Sequence, residues 1–367
     1  MSYVPASHAK GFFLITLLLV FCGLSGVANT AHAQVRAYVT NTDCDTVAVI
    51  DTVTNTVVAT IPVGDGPFGV AITPDGTRAY VANLGGTVSV IDTVTNTVIA
   101  TVPVGGSPRG VAITPDGARV YIANQSSNSL SVIDTGTNTV VDTVLVGLPA
   151  LAVAITPDGS RLYVANDETI TVIDTATGMV VSTIPPPGGF NPLGVIFTPD
   201  GTRAYVEDQS EFLNIIDTAS TTLVAHILQS IFHDALTITP DGTRLYVSTP
   251  ISTIVSVLDT STNAVINTIP LGNFNTPTDS ALTPDAARLY LPNVQNTVSV
   301  IDTATNTLVA TIPNIGCPGS AHRIAIAEVP RVPKSKSDCK GGGYLEFGLP
   351  AGPFRNQGQC IQYVETH

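Results

Sequence analysis

The feature that most constrains this chain is an internal repeat of about 40 residues, typified by GVAITPDGTRAYVANLGGTVSVIDTVTNTVIATVPV at residues 69–104. Its clearest marker is the aspartate of an I-D-T or L-D-T triplet. That aspartate recurs every 40 to 43 residues, at Asp51, Asp92, Asp134, Asp174, Asp217, Asp259 and Asp302. A period near 40 with four short apolar segments per unit is typical of a propeller blade built from four strands.

The residues of one unit predict where its strands lie. Residues 69–72 form the inner strand, and 78–81, 87–91 and 98–104 form the second, third and outer strands, rich in Thr and Val. The Pro-Asp-Gly sequence at 74–76 suits a tight turn, because Pro presets φ and Gly tolerates a positive φ. No segment carries a sustained helical period, so the chain is predicted to be all-β.

Counting strands predicts how the ring closes. The sequence contains seven copies of the second strand and seven of the inner strand. The earliest copy of the second strand, at 36–40, has no inner strand before it. The last inner strand (323–327) has no second strand after it. We therefore expect a seven-bladed β-propeller of four-stranded blades, closed by pairing the C-terminal strand with the N-terminal three. Closure removes edges that would otherwise promote aggregation.

The chain divides into four predicted parts. Residues 1–33 read as a signal peptide, with Lys10, an apolar core at 11–26 and a small-x-small cleavage site before Gln34. The propeller occupies 34–329, a Pro-bearing linker 330–338, and a small Cys-containing module 339–367. No other apolar run is long enough to span a membrane. The mature protein is predicted to be an exported monomer without a membrane span: periplasmic, cell-surface or extracellular.

Export makes the cysteines disulfide candidates. Cys44 follows the second strand of the closing blade and Cys317 precedes its inner strand, so both loops emerge on one face of antiparallel neighbours. A Cys44–Cys317 disulfide would therefore lock the ring. Cys339 and Cys360 lie in a short Gly-rich segment that suits a disulfide-stapled module. A zinc site is the weaker alternative there, since only two thiols are present.

The charge distribution argues against nucleic acid as the main partner. Residues 34–330 hold 25 Asp and Glu against nine Arg and no Lys, a net charge of −16, whereas residues 331–367 carry +2. Phosphate contacts require clustered Lys and Arg, which this acidic body lacks.

The repeat motifs resemble a known family. They are similar to the YVTN-type β-propeller repeats of exported, surface-layer-associated and YncE-like proteins. The motifs that carry this similarity are AYVTN at 37–41, AYVAN at 79–83, YIAN at 121–124 and YVAN at 163–166, together with GVAITPDG and TNTVVATIPVG. The resemblance implies seven blades and export, but no single activity. YncE-like relatives imply nucleic-acid binding, which the acidic charge disfavours. The tail, DCKGGG followed by FRNQGQC, resembles a segment that ends many exported microbial proteins and has no assigned role.

Charges that recur in every blade are interpreted as scaffold. An arginine begins each second strand opposite the triplet aspartate, which predicts a cross-strand ion pair in each blade. These arginines are Arg36, Arg78, Arg119, Arg161, Arg203, Arg244 and Arg288. The aspartates of the Pro-Asp-Gly turns are likewise interpreted as turn residues and not as calcium ligands.

Positions that break the repeat are the candidate site. Arg109, Asp234 and His322 immediately precede inner strands, and Asp279 and Arg323 replace Gly or Ala one position later. The loops around them vary between blades, which marks this face as the place for specificity. Three interpretations are open: an anion or polar small-molecule site using Arg109 and Arg323, a metal site, or a solvated rim with ordinary ion pairs. The metal site would use Asp234, Asp279, His322 and the adjacent His233.

The function we favour is a non-enzymatic binding or interaction scaffold at the cell envelope, with a protein, a glycan or a small polar or anionic molecule as partner. No catalytic residue, metal or cofactor is assigned, because no Ser-His-Asp arrangement or repeated His set is present. The alternative is a lactonase-like or other hydrolase with a metal or an Arg/His site at the channel rim. In that case turnover would depend on Asp234 or His322.

Overall fold

A computed structural model describes residues 34–185, 192–208, 212–228, 235–248, 253–272, 276–313, 315–317 and 321–330. For Asp208, Leu228, Ala321 and His322 it describes the backbone only. The predicted signal peptide, the Cys-containing module and nearly all of the predicted linker lie outside these residues. In the described part of the chain, no helix is long and apolar enough to cross a membrane.

Seven four-stranded antiparallel sheets form the blades, numbered I to VII from the one that contains Gln34. The inner strands of blades II to VII and then I are β4 (Pro67–Ile72), β8 (Pro108–Ile113), β12 (Ala150–Ile155), β16 (Pro192–Phe197), β20 (Ala235–Ile238), β24 (Ala281–Leu282) and β28 (Ala321–Val329). The second strands of blades I to VII are β1 (Gln34–Asn41), β5 (Arg78–Asn83), β9 (Arg119–Asn124), β13 (Arg161–Asn166), β17 (Arg203–Asp208), β21 (Arg244–Ser248) and β25 (Arg288–Asn293).

The outer half of each blade is equally regular. The third strands are β2 (Thr46–Asp51), β6 (Thr87–Asp92), β10 (Ser129–Asp134), β14 (Ile170–Asp174), β18 (Phe212–Asp217), β22 (Ile254–Asp259) and β26 (Thr297–Asp302). The outer strands are β3 (Thr56–Pro62), β7 (Thr97–Pro103), β11 (Thr139–Leu145), β15 (Val180–Ile184), β19 (Thr222–Leu228), β23 (Ala264–Pro270) and β27 (Thr307–Pro313). Two 3₁₀ turns, Thr42–Cys44 and Gln125–Ser127, follow β1 and β9.

The hydrophobic core lies between blades. The second and third strands are buried on both sides, whereas outer strands such as β3 alternate between exposed and partly buried residues. Each core cluster joins two neighbouring sheets; one packs Tyr38 and Val49 of blade I against Val81 and Ile91 of blade II. Because no blade buries its apolar faces alone, stability depends on completing the ring.

Ring closure is confirmed. Strand β28 pairs antiparallel with β1, from Gln34 opposite Val329 to Asn41 opposite Ala321. The predicted disulfide is present between Cys44 and Cys317, whose Cα atoms are 6.0 Å apart. Hydrogen bonding and a covalent bond thus close the same blade.

Backbone hydrogen bonds sort the loops by face. Leu84 N donates to Gly66 O at 2.9 Å, which joins the loop after a second strand to the loop entering an inner strand. These two loop sets define the variable face. On the opposite face Thr93 N donates to Thr77 O at 3.1 Å, which joins the two repeated turns.

At five of the seven blade interfaces a repeated tyrosine ties one blade to the next. Tyr80 Oη donates to Asn138 Oδ1 at 2.8 Å, and Tyr290 Oη donates to Asn55 Oδ1 at 2.6 Å across the closing interface. Burial raises the pKa of Tyr290 to about 12, so the phenol stays protonated and can donate. The same bond forms for Tyr38, Tyr205 and Tyr246, whose acceptors are Asn96, Asn263 and Asn306.

The predicted pairing of each second-strand arginine with the aspartate opposite it is correct in strand register, but the arginines also have other partners. Each second-strand arginine lies opposite its aspartate, and two ion pairs form, Arg36–Asp51 at 4.0 Å and Arg288–Asp302. Arg203, in contrast, donates to the Thr260 carbonyl of the next blade at 3.3 Å. Arg78 and Arg244 make the equivalent bond, to Thr135 and Thr303. The arginines therefore also hold neighbouring blades together. The turn aspartates behave as predicted, since Asp75 accepts from Thr73 Oγ1 at 2.6 Å and Thr77 N at 3.0 Å.

Candidate functional site at the channel mouth

The inner strands approach one another closely around the ring axis. A Cβ built at Gly69 would overlap the carbonyl oxygen of Arg109 on the next blade, and one at Gly110 would lie 2.8 Å from Ala152 Cα. Glycine is required at these positions because any side chain would push the blades apart. Their packing fixes the backbone that carries Arg109.

A cavity of about 210 Å³ opens where the inner strands begin. Its position places it on the variable face, as the loop pattern predicts. The lining residues come from all seven blades and combine aliphatic walls with four charged groups: Phe68, Gly69, Val70, Arg109, Gly110, Val111, Leu151, Ala152, Val153, Leu193, Gly194, Val195, Ile196, Glu207, Leu236, Asp279 and Arg323.

Two arginines contact the same aromatic ring. The guanidinium carbon of Arg109 lies 4.8 Å from the centre of the Phe68 ring, and that of Arg323 lies 5.3 Å from it. Each contact is a cation–π interaction. The three residues come from blades III, II and I, so the ring of blade II holds two cations from its neighbours.

Arg109 is the less compensated of the two cations. Burial and the positive charge of Arg323 lower the pKa of Arg109, and the negative charge of Asp167 opposes them. An arginine nevertheless stays protonated in proteins. Its Nε is buried and has no hydrogen-bond partner among the described residues. A buried donor without an acceptor is costly.

Arg323 is held in place by its surroundings. Its Nη1 lies 3.7 Å from Asp279 Oδ1 and donates to the Thr278 carbonyl at 3.3 Å, while Asp279 accepts from Ile324 N at 2.8 Å. Thr40 links the backbones of Phe68 and Arg323, because its hydroxyl donates to the Phe68 carbonyl at 2.8 Å and accepts from Arg323 N at 3.1 Å. These contacts fix the position of the Arg323 guanidinium at the cavity wall.

The structure adds one charged residue that the sequence did not single out as a site. Glu207 is only 6 % exposed, lines the cavity and lies opposite Gly194 in the β16–β17 pairing. The available signal was the change of the repeated Y-V-A-N to Tyr205-Val206-Glu207-Asp208. What the sequence lacked was the direction of the side chain, which depends on strand register.

The predicted site residues divide into two groups. Arg109, Asp279 and Arg323 line one cavity. Asp234 and its neighbour His233 lie outside the described residues, and for His322 only the backbone is described. Within the described residues, no group of three or more His, Cys, Asp or Glu side chains could hold a metal ion. The metal interpretation, which needs Asp234 and His322, stays a prediction.

Comparison with known proteins agrees with the architecture. A family model described as lactonase, 7-bladed beta-propeller, matches residues 32–144, about a third of the chain. No curated protein matches. A solved structure of Kuenenia stuttgartiensis hydrazine synthase is 25 % identical, with 68 % of this chain and 86 % of that chain covered at a TM-score of 0.62.

Two further solved structures share the fold at lower identity. Dihydro-heme d1 dehydrogenase NirN in complex with DHE is 16 % identical, with 79 % of this chain and 74 % of that chain covered at a TM-score of 0.63. A functionally unknown protein from Desulfotomaculum acetoxidans is 19 % identical, with 80 % and 99 % covered at a TM-score of 0.71. The chain is thus similar to a lactonase-type propeller family over its N-terminal third and shares its fold with proteins of diverse names.

Proposed function

We propose that this protein is an exported, non-enzymatic binding propeller that takes a small organic anion at the channel mouth on its variable face. The observation that carries the proposal is the convergence of Arg109 and Arg323 on one face of the cavity, against Phe68. Arginine provides several fixed donors for a carboxylate or phosphate, and the partly buried setting strengthens each contact.

The charge context supports an anion in particular. The propeller carries a net charge of −16 between residues 34 and 330, so an anion is repelled from most of its surface. Arg109 and Arg323 are the two arginines in that region outside the repeated second-strand position. Scaffold needs do not account for them, since no other blade has an arginine at either position: the equivalents of Arg109 are Phe68, Leu151, Leu193, Asp234, Thr278 and His322, and those of Arg323 are Gly, Ala or Asp279.

The test is a titration of the full-length mature protein with propionate, butyrate, valerate and inorganic phosphate, followed by ligand-observed NMR and thermal shift. We expect saturable binding of at least one carboxylate. Replacing Arg109 or Arg323 by alanine should weaken it roughly tenfold or more, because a hydrogen bond to a charged group contributes about 1.5–3 kcal/mol.

Arg119→Ala is the matched control. Arg119 is an exposed arginine of the repeated set at the start of β9, next to the turns of the opposite face. Its loss removes the same net charge without touching the cavity, so binding should be unchanged. Equal affinities in the wild type, Arg109→Ala and Arg323→Ala would rule out the anion site.

A lactonase-like hydrolase is the second candidate, favoured by the family model that matches residues 32–144. Hydrolysis of a lactone yields a hydroxycarboxylate, which two arginines would also bind. A panel of lactones and esters separates the candidates: we expect no turnover above buffer. Turnover that disappears in Asp234→Ala or His322→Ala would establish the hydrolase instead.

Export is part of the proposal and has its own test. Expression of the whole chain in a bacterial host, followed by N-terminal sequencing of envelope and medium fractions, should give a mature N-terminus at Gln34. A chain that keeps residues 1–33 and stays in the cytoplasm would contradict it.

A further inference from the structure

The position at which each inner strand enters the channel differs in chemistry around the ring. In blades II to V it is the second residue of the inner strand, directly after the residue that pairs with the end of the second strand. Equivalent points of a repeat lie at the same level around the axis. These residues are Phe68, Arg109, Leu151 and Leu193, and all four line the cavity. Where blade III has a guanidinium, blades IV and V therefore have isobutyl groups.

The next level of the channel is aliphatic. It lies two residues further along each inner strand, away from the variable face on which the inner strands begin. Its members in blades II to VI all line the cavity, and all are branched aliphatic residues: Val70, Val111, Val153, Val195 and Leu236. The cavity thus has cations at its entrance, on blades I and III, and an apolar interior.

The charges at the entrance suit a ligand with one anionic group. Arg323 is already paired with Asp279 at 3.7 Å, so Arg109 is the cation with the weaker acidic compensation. Among the described lining residues of blades IV to VI there is no Lys, Arg or His, and the charged residue of that wall, Glu207, is an acid. A second carboxylate on the ligand would leave water for an aliphatic wall, which is costly.

The size of the cavity limits the length of the ligand. Pockets for drug-sized ligands have volumes of about 300–1,000 Å³, whereas an apolar cavity of about 150 Å³ holds benzene. The cavity here has a volume of about 210 Å³. In proportion to benzene, this volume suits roughly eight heavy atoms. Hexanoate, with its carboxylate and short unbranched chain, has that size.

We propose that the ligand is a medium-chain alkyl monocarboxylate, with hexanoate as the model compound. Its carboxylate contacts Arg109 at the entrance, and its chain lies against Leu151, Leu193 and the deeper aliphatic level. This rests on the proposed function, because it names the class of anion that the same site takes. Each methylene group removed from water adds to the affinity, while the carboxylate stays at the mouth of the cavity.

The experiment measures affinity against chain length for acetate, butyrate, hexanoate and octanoate. Adipate is the dicarboxylate that matches hexanoate in length. Dissociation constants come from ligand-observed NMR titrations of the full-length mature protein, below the concentrations at which the ligands form micelles. The variants are Arg109→Ala and Leu193→Asn, which makes a partly buried wall residue polar at nearly unchanged size. Leu145→Asn is the matched control, because Leu145 lies on the outer strand β11 and is 75 % exposed.

We expect each methylene group added between acetate and hexanoate to tighten binding roughly two- to fourfold, and the gain to end near hexanoate, where the cavity is full. Adipate should bind roughly tenfold more weakly than hexanoate. Leu193→Asn should reduce the gain with chain length and leave acetate unchanged, whereas Leu145→Asn should change neither. Arg109→Ala should weaken every member of the series by a similar factor. The thermal midpoint of each variant checks folding, and the wild-type series needs no variant.

The outcomes separate the two proposals. If carboxylates bind the wild type with equal affinity at every chain length, or if adipate binds as tightly as hexanoate, the alkyl-chain inference is overturned while the anion site stands. A gain with chain length that is unchanged in Leu193→Asn also overturns it, because the chain then lies elsewhere. If no carboxylate binds, the anion site fails and the inference fails with it.

Discussion

Two blade interfaces lack the tyrosine–asparagine bond that the other five form, and providing it at the interface of blades IV and V should stabilise the protein. Tyr163 Oη is buried and, in the part of the chain that the structure describes, has no hydrogen-bond partner, although equivalent tyrosines donate to an asparagine of the next blade. The equivalent residue here is Thr221, which has no amide and has a φ of 54°. A β-branched residue is disfavoured at positive φ, whereas asparagine tolerates it. Thr221→Asn should therefore provide the missing acceptor and relieve backbone strain.

The magnitude follows from three contributions. A new buried hydrogen bond adds about 1 kcal/mol. Asparagine in place of threonine at the positive φ of position 221 adds about 1 kcal/mol, since the left-handed conformation costs an ordinary residue about 1–2 kcal/mol. Against these stands the loss of the bond from Thr221 Oγ1 to Ser182 Oγ, which is 3.2 Å long and only partly buried. The net gain is about 1 kcal/mol, or an increase of roughly 2 °C in the melting temperature.

The assay is a double-mutant cycle by thermal and urea denaturation. Tyr163→Phe should be nearly neutral in the wild type, because no bond is lost, and should cost about 1 kcal/mol in the Thr221→Asn background. Asn138→Thr is the mirror control. It removes the 2.8 Å acceptor of Tyr80 in an intact interface and should lower the melting temperature.

The hydrogen-bond argument fails if Tyr163→Phe has the same effect in both backgrounds. A stabilisation by Thr221→Asn that persists without the Tyr163 hydroxyl would come from the backbone alone. No stabilisation at all, together with a neutral Asn138→Thr, would refute the view that this bond holds blades together.

Three other predictions follow from the scaffold. Reduction of Cys44–Cys317, or serine at both positions, should lower the melting temperature, since a cross-link over 273 residues stabilises by about 5 kcal/mol in the chain-entropy model; non-reducing peptide mapping that pairs Cys44 with another cysteine would contradict the bond. Gly69→Ala should cost about 1–3 kcal/mol and weaken carboxylate binding, because its Cβ would meet the backbone of Arg109; unchanged stability and affinity would show that the blades can separate freely. Hydrogen bonds from the threonine hydroxyl two residues earlier lower the pKa of five turn aspartates. These carboxylates therefore stabilise the fold above the ordinary carboxyl pKa of about 4, and this stabilisation is lost as the pH falls through the lowered pKa values. A melting temperature that does not fall on acidification through that range would contradict the prediction. These aspartates are Asp116, Asp158, Asp200, Asp241 and Asp285.

Much of the fold could be predicted because a strict repeat defines the number and the order of the strands. The blade count, the closing pair β28–β1 and the Cys44–Cys317 bond all followed from counting strands and asking which loops share a face. The arginine at the start of each second strand shows the limit. Its register opposite the aspartate was predictable from pairing, but its bond to the next blade, as from Arg203 to Thr260, requires the packing of two sheets.

The candidate site was predictable only in part. Arg109, Asp279 and Arg323 stood out because they break the repeat, and all three line the cavity. Glu207 broke it as well, but a strand residue points to one face or the other according to its register, which a change in sequence does not reveal. The overlap between Glu207 and the empty side-chain position of Gly194 is visible only in three dimensions.

By itself, the sequence determined the periodic part of this protein: seven blades, their strand order, the turn chemistry and the residues that depart from the pattern. These follow from local propensities and from a strict period, which act over a few residues. The tertiary structure alone decided that Arg109 and Arg323, far apart in sequence, contact one Phe68 ring, and that Glu207 lines the same cavity from across the ring. The physical reason is closure: only when the last strand pairs with the first do side chains from opposite ends of the chain share one channel.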